Sequence, residues 1–423
     1  MRKYKFKIDT HGCKLNQADS EVLSREFQEA GFLLATEEQL VDVYVLNSCT
    51  VTHIADRKAR KALRSAHKVY PKALIVVTGC YPERDKRELE ALNEVDLIIG
   101  NVGKKEIVSQ VKEHPKMFER KEGIIDENIS FNISRNRSMV KIQEGCNQIC
   151  AYCIVPKVRG RESSVSPVSI INQINDKAEN GIKEVVLTGT QLGSYGFDLE
   201  DYNLKKLLRT ILRNTNIERI RMSSLQPQEI DQELLDIWDD KRMCNHFHVP
   251  LQSGSDHILK RMRRRYTSGK YLEQTKLIKS YMPNASITTD VIVGFPGERD
   301  EDFEASMNIC KASFLSDIHV FPYSKRSSTS ANYFKDQVSS EIKKVRVNKI
   351  LSLKRTLHEK FLDLQIGSEH FVLWEKNSEL GDQFGLTSNY LKAVTKVKGQ
   401  ITNQISNCLV KERLGTSLLV DVI

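Results

Sequence analysis

Three cysteines lie close together in the segment EGCNQICAYC. Cys146, Cys150 and Cys153 have the spacing C-x3-C-x2-C and follow a short strand pattern at 139–143. Three thiolates on one loop can hold three irons of a four-iron four-sulfur (4Fe–4S) cluster and leave the fourth iron open to another ligand. A zinc site is the alternative, but zinc usually takes four ligands in C-x2-C pairs, and no second pair lies nearby. The spacing therefore favours an iron–sulfur site with an open iron.

A second set of cysteines is spread over the first third of the chain. Cys13, Cys49 and Cys80 are too far apart for a local motif, but each lies just beyond a predicted strand. The carboxyl ends of parallel strands meet at one edge of a sheet, so the three thiols would converge there and could hold a second cluster. Three independent buried cysteines are the alternative, because cysteine packs as a small apolar side chain. That core role is our prediction for the three remaining cysteines, which are Cys244, Cys310 and Cys408.

The elements that must position these cysteines form three units with a linker. Residues 1–115 alternate strand and helix patterns, which predicts an α/β domain with a parallel sheet. Residues 116–137 are charged and lack periodicity, as a linker does. Residues 138–363 contain six strand patterns separated by helices, which predicts an open, partial (βα)6 barrel of the TIM type with its chemistry at the carboxyl ends of the strands. Residues 364–423 have the short strand and turn signals of a small β-barrel.

Composition and charge limit the classes of protein to which the chain can belong. A chain of 423 residues with 40% hydrophobic and 28% charged residues is globular, and it shows neither a membrane-spanning run nor a secretory signal. We therefore expect a cytoplasmic protein with no membrane partner, in a compartment where cysteines bind metals rather than form disulfides. The net charge of +9 is concentrated in 57–72 and in the run KRMRRR at 260–265. One such patch can be a solvated helix face, but two favour a polyanionic partner, and candidate RNA contacts are Arg263, Arg264 and Arg265.

The motifs together resemble the radical S-adenosylmethionine (SAM) methylthiotransferase family. HGCKLNQADSE (11–21), VLNSCTVT (45–52) and VTGCYPE (77–83) are similar to its three N-terminal cysteine motifs. TGTQLGSYG (188–196) is similar to a barrel motif, and GLTSNY (385–390) to the C-terminal TRAM domain. The resemblance implies an enzyme with SAM and two 4Fe–4S clusters. The cluster on Cys146, Cys150 and Cys153 would generate a 5′-deoxyadenosyl radical, and the cluster on Cys13, Cys49 and Cys80 would deliver sulfur.

The resemblance also implies where SAM binds. The expected contacts lie at the strand ends of the barrel and are Gly189, Thr190, Gln191, Ser223 and Gln252. Arg221 is placed to line the barrel mouth. His246 and His248 share one face of a strand, where the sequence favours structural hydrogen bonding over metal ligation. No catalytic side chain is assigned beyond the cluster ligands. Two residues depart from the family pattern: Gln226 stands where a glutamate is expected, and Ser328 where a glycine is expected.

The first cysteine motif suggests the substrate. GCKLNQ (12–17) is most similar to the branch that acts on N6-threonylcarbamoyladenosine at position 37 of tRNA. This branch implies a tRNA anticodon stem-loop as partner and an electron donor such as a flavodoxin or ferredoxin. The alternatives are methylthiolation of isopentenylated tRNA adenosine or of a ribosomal protein aspartate. A non-catalytic, RNA-binding iron–sulfur sensor is a further alternative, but the open-iron spacing argues against it.

Overall fold

The computed structural model describes residues 4–36, 39–118, 136–377, 381–397 and 399–423. It confirms the predicted α/β class with an N-terminal parallel sheet, an open central barrel and a closed C-terminal barrel. The predicted linker at 116–137 includes 119–135, which lie outside the described residues, so its boundaries stay a prediction. Within the described part of the chain, no helix is both long and apolar enough to cross a membrane.

The N-terminal sheet has five parallel strands in the order β2-β1-β3-β4-β5. They are β1 (Lys5–Thr10), β2 (Leu33–Leu34), β3 (Val43–Ser48), β4 (Leu74–Gly79) and β5 (Leu97–Ile98). The helices are α1 (Lys14–Glu29), α2 (His53–Val69), α3 (Cys80–Arg84), α4 (Lys86–Glu90), α5 (Ile107–Glu113) and α6 (Pro115–Phe118). Every residue of β3 and β4 is buried, because both faces of the sheet are covered. Alternate residues of β3 enter two separate cores, Val43 and Val45 in one, Tyr44 and Leu46 in the other.

The central unit has six parallel strands and a two-stranded ribbon, β7–β8. The strands are β6 (Arg137–Lys141), β7 (Gln143–Glu144), β8 (Ser163–Ser164), β9 (Glu184–Thr188), β10 (Arg219–Met222), β11 (His246–His248), β12 (Ser286–Val293) and β13 (Asp317–Pro322). Two three-stranded sheets, β6-β9-β10 and β11-β12-β13, are joined by bridges from Ile220 to Met243 and from Ser224 to His248. The resulting order of six strands is the predicted partial barrel, and β6 and β13 are its unpaired edges.

Helices cover the outer face of this barrel. They are α7 (Val155–Val158), α8 (Pro167–Glu179), α9 (Leu204–Asn214), α10 (Gln232–Leu235), α11 (Asp256–Arg261), α12 (Ser268–Tyr281), α13 (Asp300–Ala312) and α14 (Ser340–Asp363). Strand residues alternate between the two faces, so Ile220, Phe247 and Ile287 belong to the apolar core. Their neighbours Arg221 and His246 lie on the opposite, inner face, where they contact each other. The lumen of the barrel is therefore polar.

A closed five-stranded barrel ends the chain. Its strands are β14 (Glu369–Asn377), β15 (Gln383–Thr387), β16 (Lys392–Thr395), β17 (Ile405–Leu414) and β18 (Ser417–Val422). Trp374 is fully buried at its centre. The guanidinium of Arg219, at the start of β10, donates to the backbone oxygens of Leu386 and Thr387 at 3.0 Å each. This small barrel therefore closes the end of the central barrel where the strands begin.

The N-terminal unit packs on the other end. Arg326, which follows β13 and is 1% exposed, donates to Asp56 on α2 at 2.6 Å. Lys177 on α8 pairs with Glu21 on α1 at 3.1 Å. Asp56 therefore fixes the N-terminal unit at the mouth of the barrel, and Glu21, which also accepts from Oγ of Ser138 at the start of β6, holds α1 along this edge strand. Chemistry-bearing residues of the two units can therefore meet.

Candidate iron–sulfur and cofactor site

The loop with Cys146, Cys150 and Cys153 lies at the mouth of the central barrel, between β7 and α7. The antiparallel pairing of β7 with β8 turns the chain back, and the amide of Cys146 donates to the oxygen of Gly160 at 3.2 Å. Gly145 has φ +74°, and a Cβ there would lie 1.9 Å from the backbone oxygen of Arg161. Only glycine permits this close return, which brings the three cysteines onto one short loop.

The three thiols of this loop are half-buried and interact electrostatically with one another. Burial raises the pKa of Cys146, and it raises that of Cys153 to about 12. The guanidinium of Arg264 donates to Sγ of Cys150 at 3.3 Å, and this positive charge favours thiolates. Three converging sulfurs beside one guanidinium fit a 4Fe–4S cluster, since iron binds the deprotonated sulfur.

The structure brings Cys13, Cys49 and Cys80 together at the carboxyl edge of the N-terminal sheet. They follow β1, β3 and β4, which are neighbours in the sheet. A Cβ built on Gly12 would lie 3.0 Å from Cβ of Cys49, and Cys49 interacts electrostatically with both other thiols. Burial raises the pKa of Cys49 to about 11. Convergence through parallel topology is what the sequence predicted, and the donor set fits a second cluster.

Asparagine side chains order the second cysteine set. Sγ of Cys13 donates to Oδ1 of Asn16 at 3.2 Å, and Nδ2 of Asn16 donates to Oδ1 of Asn47 at 3.0 Å. Nδ2 of Asn101 lies 3.7 Å from Sγ of Cys80. Asn16 and Asn47 are fully buried, so the first turn of α1 is fixed against the end of β3.

The two cysteine sets adjoin each other. Cys80 packs against Ile154 and Val158, which belong to the segment that immediately follows Cys153. The same segment ends at Arg159, whose side chain reaches back to Asp19 on α1 at 3.2 Å and to Glu144 at 2.7 Å. One short segment therefore borders both sets, and a substrate at the barrel mouth can face both.

The expected SAM contacts lie beside the loop that carries Cys146, Cys150 and Cys153. The amides of Thr190 and Gln191 both donate to Oε1 of Gln143 at 2.9 Å. Oγ1 of Thr190 and Oγ of Ser223 are buried, and neither has a hydrogen-bond partner among the described residues. Such atoms are costly to bury unless a polar ligand satisfies them. The pattern fits a polar cofactor at these strand ends, although SAM contact by individual residues stays a prediction.

Two further expected contacts differ in their surroundings. A Cβ on Gly189 would lie 2.9 Å from the backbone oxygen of Gln143, which makes this a close approach of two strand ends. Gln252 has φ +64° and is 8% exposed, and its amide donates to the oxygen of Asp290 at 2.8 Å. A left-handed backbone is unusual for glutamine and often marks a functional position. Gln252 therefore remains a candidate for SAM binding.

A chain of polar side chains extends from Cys150 and includes a residue that the sequence reasoning missed. Nη2 of Arg264 donates to Oε1 of Gln226 at 3.0 Å, Gln226 contacts Gln191, and Gln191 contacts Glu229. Burial raises the pKa of Glu229 to about 7. Glu229 thus places a carboxyl group beside Gln226, whose backbone amide donates to Oε2 of Glu229 at 2.8 Å. Glu229 lies three residues after Gln226, one turn further along the chain, and this spacing could have indicated it from the sequence.

Arg263, Arg264 and Arg265 do not form one surface. Arg264 is half-buried against Cys150, whereas Arg263 and Arg265 are exposed. The charge run alone did not reveal this division, because a run gives the charge but not the direction of each side chain. RNA binding by these arginines stays a prediction, and the two exposed side chains are available for it.

The structure also shows the surroundings of the remaining residues that the sequence singled out. Cys244, Cys310 and Cys408 are buried, as expected of core residues. Nδ1 of His248 lies 2.9 Å from Oγ1 of Thr288, in keeping with a hydrogen-bonding role. Ser328 has φ +68° and is exposed, a backbone that favours the glycine expected there.

The open barrel and the cysteine loop at its mouth define a radical SAM enzyme. The model of the radical SAM superfamily matches residues 140–310. A second model, described as "Uncharacterized protein family UPF0004", matches residues 5–100. Among solved structures, the radical SAM methyltransferase TsrM from Kitasatospora setae has a TM-score of 0.58 at 14% identity, covering 78% of this chain and 77% of its own. At that identity the likeness shows the fold alone.

Curated relatives indicate which radical SAM family the chain belongs to. The threonylcarbamoyladenosine tRNA methylthiotransferases MtaB of Bacillus subtilis and Aquifex aeolicus are 36% and 39% identical to this chain. Each alignment covers 92% of this chain, and 89% and 95% of the respective relative. A tRNA-2-methylthio-N(6)-dimethylallyladenosine synthase of Carboxydothermus hydrogenoformans is 34% identical, with 90% of both chains covered. The chain belongs to the radical SAM methylthiotransferase family, and this membership implies SAM and a 4Fe–4S cluster.

Proposed function

We propose that this enzyme methylthiolates C2 of N6-threonylcarbamoyladenosine at position 37 of tRNA. The observation that carries the proposal is the contact of Cys80 with Ile154 and Val158, which sets two cysteine groups side by side at one barrel mouth. When bound, the two clusters and SAM supply a hydrogen-abstracting radical and a sulfur donor. Such chemistry is needed because the hydrogen on C2 of adenine is not usefully acidic. The relatives from Bacillus and Aquifex support the threonylcarbamoyl substrate.

In this proposal each group of residues has a separate task. The Cys146, Cys150 and Cys153 set holds the cluster that binds SAM, and Cys13, Cys49 and Cys80 hold the sulfur-delivering cluster. Buried polar atoms at Thr190 and Ser223 orient SAM. The N-terminal unit, fixed over the mouth through Arg326 and Asp56, limits the access of water to the reacting atoms.

Exposed cations would bind the anticodon stem-loop. Arg263 and Arg265 are exposed on either side of Arg264, which contacts Cys150. On α2, the exposed cations are Arg57, Lys58, Lys61, Arg64 and Lys68. Phosphate contacts dominate the affinity of proteins for nucleic acids, so these side chains would position the tRNA. A cytoplasmic location and an electron donor of the flavodoxin or ferredoxin type complete the proposal.

The test uses protein reconstituted with iron and sulfide under anaerobic conditions. Two anticodon stem-loops are compared, one with threonylcarbamoyladenosine and one with isopentenyladenosine at position 37, and nucleosides are analysed by mass spectrometry. We expect a methylthio product from the first stem-loop, and none when SAM is omitted. A product from the isopentenylated stem-loop alone would assign the enzyme to the other tRNA branch. Iron binding without SAM cleavage under reducing conditions would favour the sensor.

A further inference from the structure

The inner face of the central barrel carries an unusual set of charges. Arg221 on β10 and Asp290 on β12 face the lumen, and Lys14, the residue after Cys13, comes close enough to interact electrostatically with both. Lys14 also interacts with His246 on β11. The first residue of α1 therefore extends its ammonium group from the second cysteine set into the barrel.

The two cations lack carboxylate partners. Arg221 is 9% exposed, contacts His246 at 3.3 Å and stacks on the ring of Tyr390 at 3.8 Å, and no carboxylate pairs with it among the described residues. The ammonium group of Lys14, at the first position of α1, forms no hydrogen bond or ion pair with any residue that the structure describes. Burial and Arg221 keep His246 neutral by lowering its pKa well below the usual value. A buried guanidinium beside a half-buried ammonium, neither with a carboxylate partner, is costly unless an anion joins them.

Among the residues that the structure describes, the acid that interacts with Lys14 is Asp290, and it already has partners. Asp290 lies between two histidines, 3.2 Å from Nε2 of His248 and 3.4 Å from Nδ1 of His319. The group therefore contains two basic side chains, Lys14 and Arg221, and one carboxylate that two histidines already contact. Arg137, which lies nearby, is paired with Glu375 at 2.5 Å and leaves this balance unchanged. An excess of basic side chains over carboxylates suits an anionic ligand.

The lumen is reachable from the side. The barrel is open at β13, where Ile318 and Val320 pack into the core and the alternate residues His319 and Phe321 are exposed. His319 contacts Asp290, so the exposed edge leads directly to the charged group. A substituent of a base bound at the mouth can therefore enter without an opening of the fold.

We propose that Lys14 and Arg221 form the subsite for the carboxylate of the threonylcarbamoyl group on the substrate adenosine. This inference rests on the proposed function. The amino-acid substituent on N6 ends in a carboxylate, whereas an isopentenyl group is uncharged. N6 and C2 belong to the same edge of the purine, and Lys14 follows Cys13 directly. A carboxylate held here orients that edge toward the second cysteine set, which makes Lys14 and Arg221 positioning and specificity residues.

The test compares three stem-loops that differ only at adenosine 37: threonylcarbamoyladenosine, its methyl ester and unmodified adenosine. Binding to the reconstituted wild-type enzyme and to Lys14→Gln is measured by fluorescence anisotropy. Loss of one charge-assisted contact should weaken binding of the first stem-loop by about 10- to 100-fold and leave the other two unchanged. Lys14→Arg should largely restore binding. Lys86→Gln, an exposed lysine of the same unit, is the matched control.

Iron content is measured for each variant, because Lys14 adjoins Cys13. The methyl ester gives a second test that needs no substitution, since the wild-type enzyme should bind it as weakly as Lys14→Gln binds the acid. Equal affinity of the wild-type enzyme for acid and ester would overturn the subsite. Equal weakening of all three stem-loops in Lys14→Gln would do the same. The proposed function fails separately, if the wild-type enzyme does not methylthiolate the acid stem-loop.

Discussion

Arg159 joins the two cysteine sets, and its replacement by glutamine should loosen their contact. Nη1 donates to Asp19 at 3.2 Å and to Glu144 at 2.7 Å, and Nη2 donates to Asn16 at 3.2 Å. The side chain is 3% exposed. Arg159→Gln removes the charge and cannot reach all three acceptors, so the segment that packs on Cys80 loses its attachment to α1.

The magnitude follows from the partners that remain. Removing one member of a buried ion pair costs roughly 3 to 5 kcal/mol when the other is left unpaired. Asp19 retains Lys104 at 2.6 Å and Lys141 at 2.8 Å, so its charge stays compensated. The loss is then mainly that of the charge-assisted hydrogen bonds, each of which contributes about 1.5 to 3 kcal/mol. Glutamine can keep one of the three bonds, so the loss of two at the lower value should decrease the free energy of unfolding by about 3 kcal/mol.

The assay is urea denaturation of the cluster-free protein followed by circular dichroism, with iron content after reconstitution as a second readout. Arg161→Gln is the control, because Arg161 is exposed in the same segment. Asp19→Asn is combined with Arg159→Gln in a double-mutant cycle, in which contacting residues give non-additive effects. A loss no larger than in Arg161→Gln, or strictly additive effects in the cycle, would refute the reasoning.

The cysteines, the exposed arginines and the half-buried Glu229 each give a measurable outcome. Cys146→Ala should abolish SAM cleavage because a cluster ligand is lost, and 5′-deoxyadenosine from the reduced variant would contradict the assignment. Replacing Cys13, Cys49 and Cys80 together should stop methylthiolation, leave SAM cleavage intact and remove about half of the bound iron. Unchanged iron content would show that these three cysteines are core residues. Arg263→Gln with Arg265→Gln should lower the slope of log affinity against log salt by roughly 0.7 to 0.9 per lost phosphate contact, and an unchanged slope would exclude both from the interface. Burial raises the pKa of Glu229 to about 7. As the pH rises from 4.5 to 7, the carboxyl group ionises in the unfolded chain but stays protonated in the folded protein, so the free energy of unfolding of the wild type should fall by up to about 3 kcal/mol. Glu229→Gln should lack that loss in urea denaturation, and parallel pH profiles would show that the carboxyl is not desolvated.

Hydrophobic patterns predicted the fold because the strands are short, apolar and buried on both sides. LIVVTG at 74–79 is buried throughout and needs no tertiary information to be read as a strand. The convergence of Cys13, Cys49 and Cys80 followed from parallel topology alone. The start of α1 at Lys14 depends instead on a tertiary contact, because Asn16 in its first turn is fixed to Asn47 across the sheet.

Side-chain direction limited the prediction of the site. Arg264 lies in a charge run in which Arg263 and Arg265 are exposed, yet it contacts Cys150. Its direction depends on Cys150, which lies more than 100 residues earlier in the chain. No local pattern contains that contact. The same applies to Arg159, whose partner Asp19 belongs to another unit.

The placement of these two arginines bears on how the sites are coupled. Arg264 stands beside one thiol set, and Arg159 interacts electrostatically with Cys80 and Cys13 of the other. If each set holds a cluster as proposed, its three thiols must lose protons, and the nearby guanidinium offsets part of the resulting negative charge. Because Arg159 also holds the segment that follows Cys153, any movement that weakens its hold on α1 disturbs the surroundings of both sets. The contacts of Arg159 with α1 therefore link the packing around one cysteine set to the packing around the other.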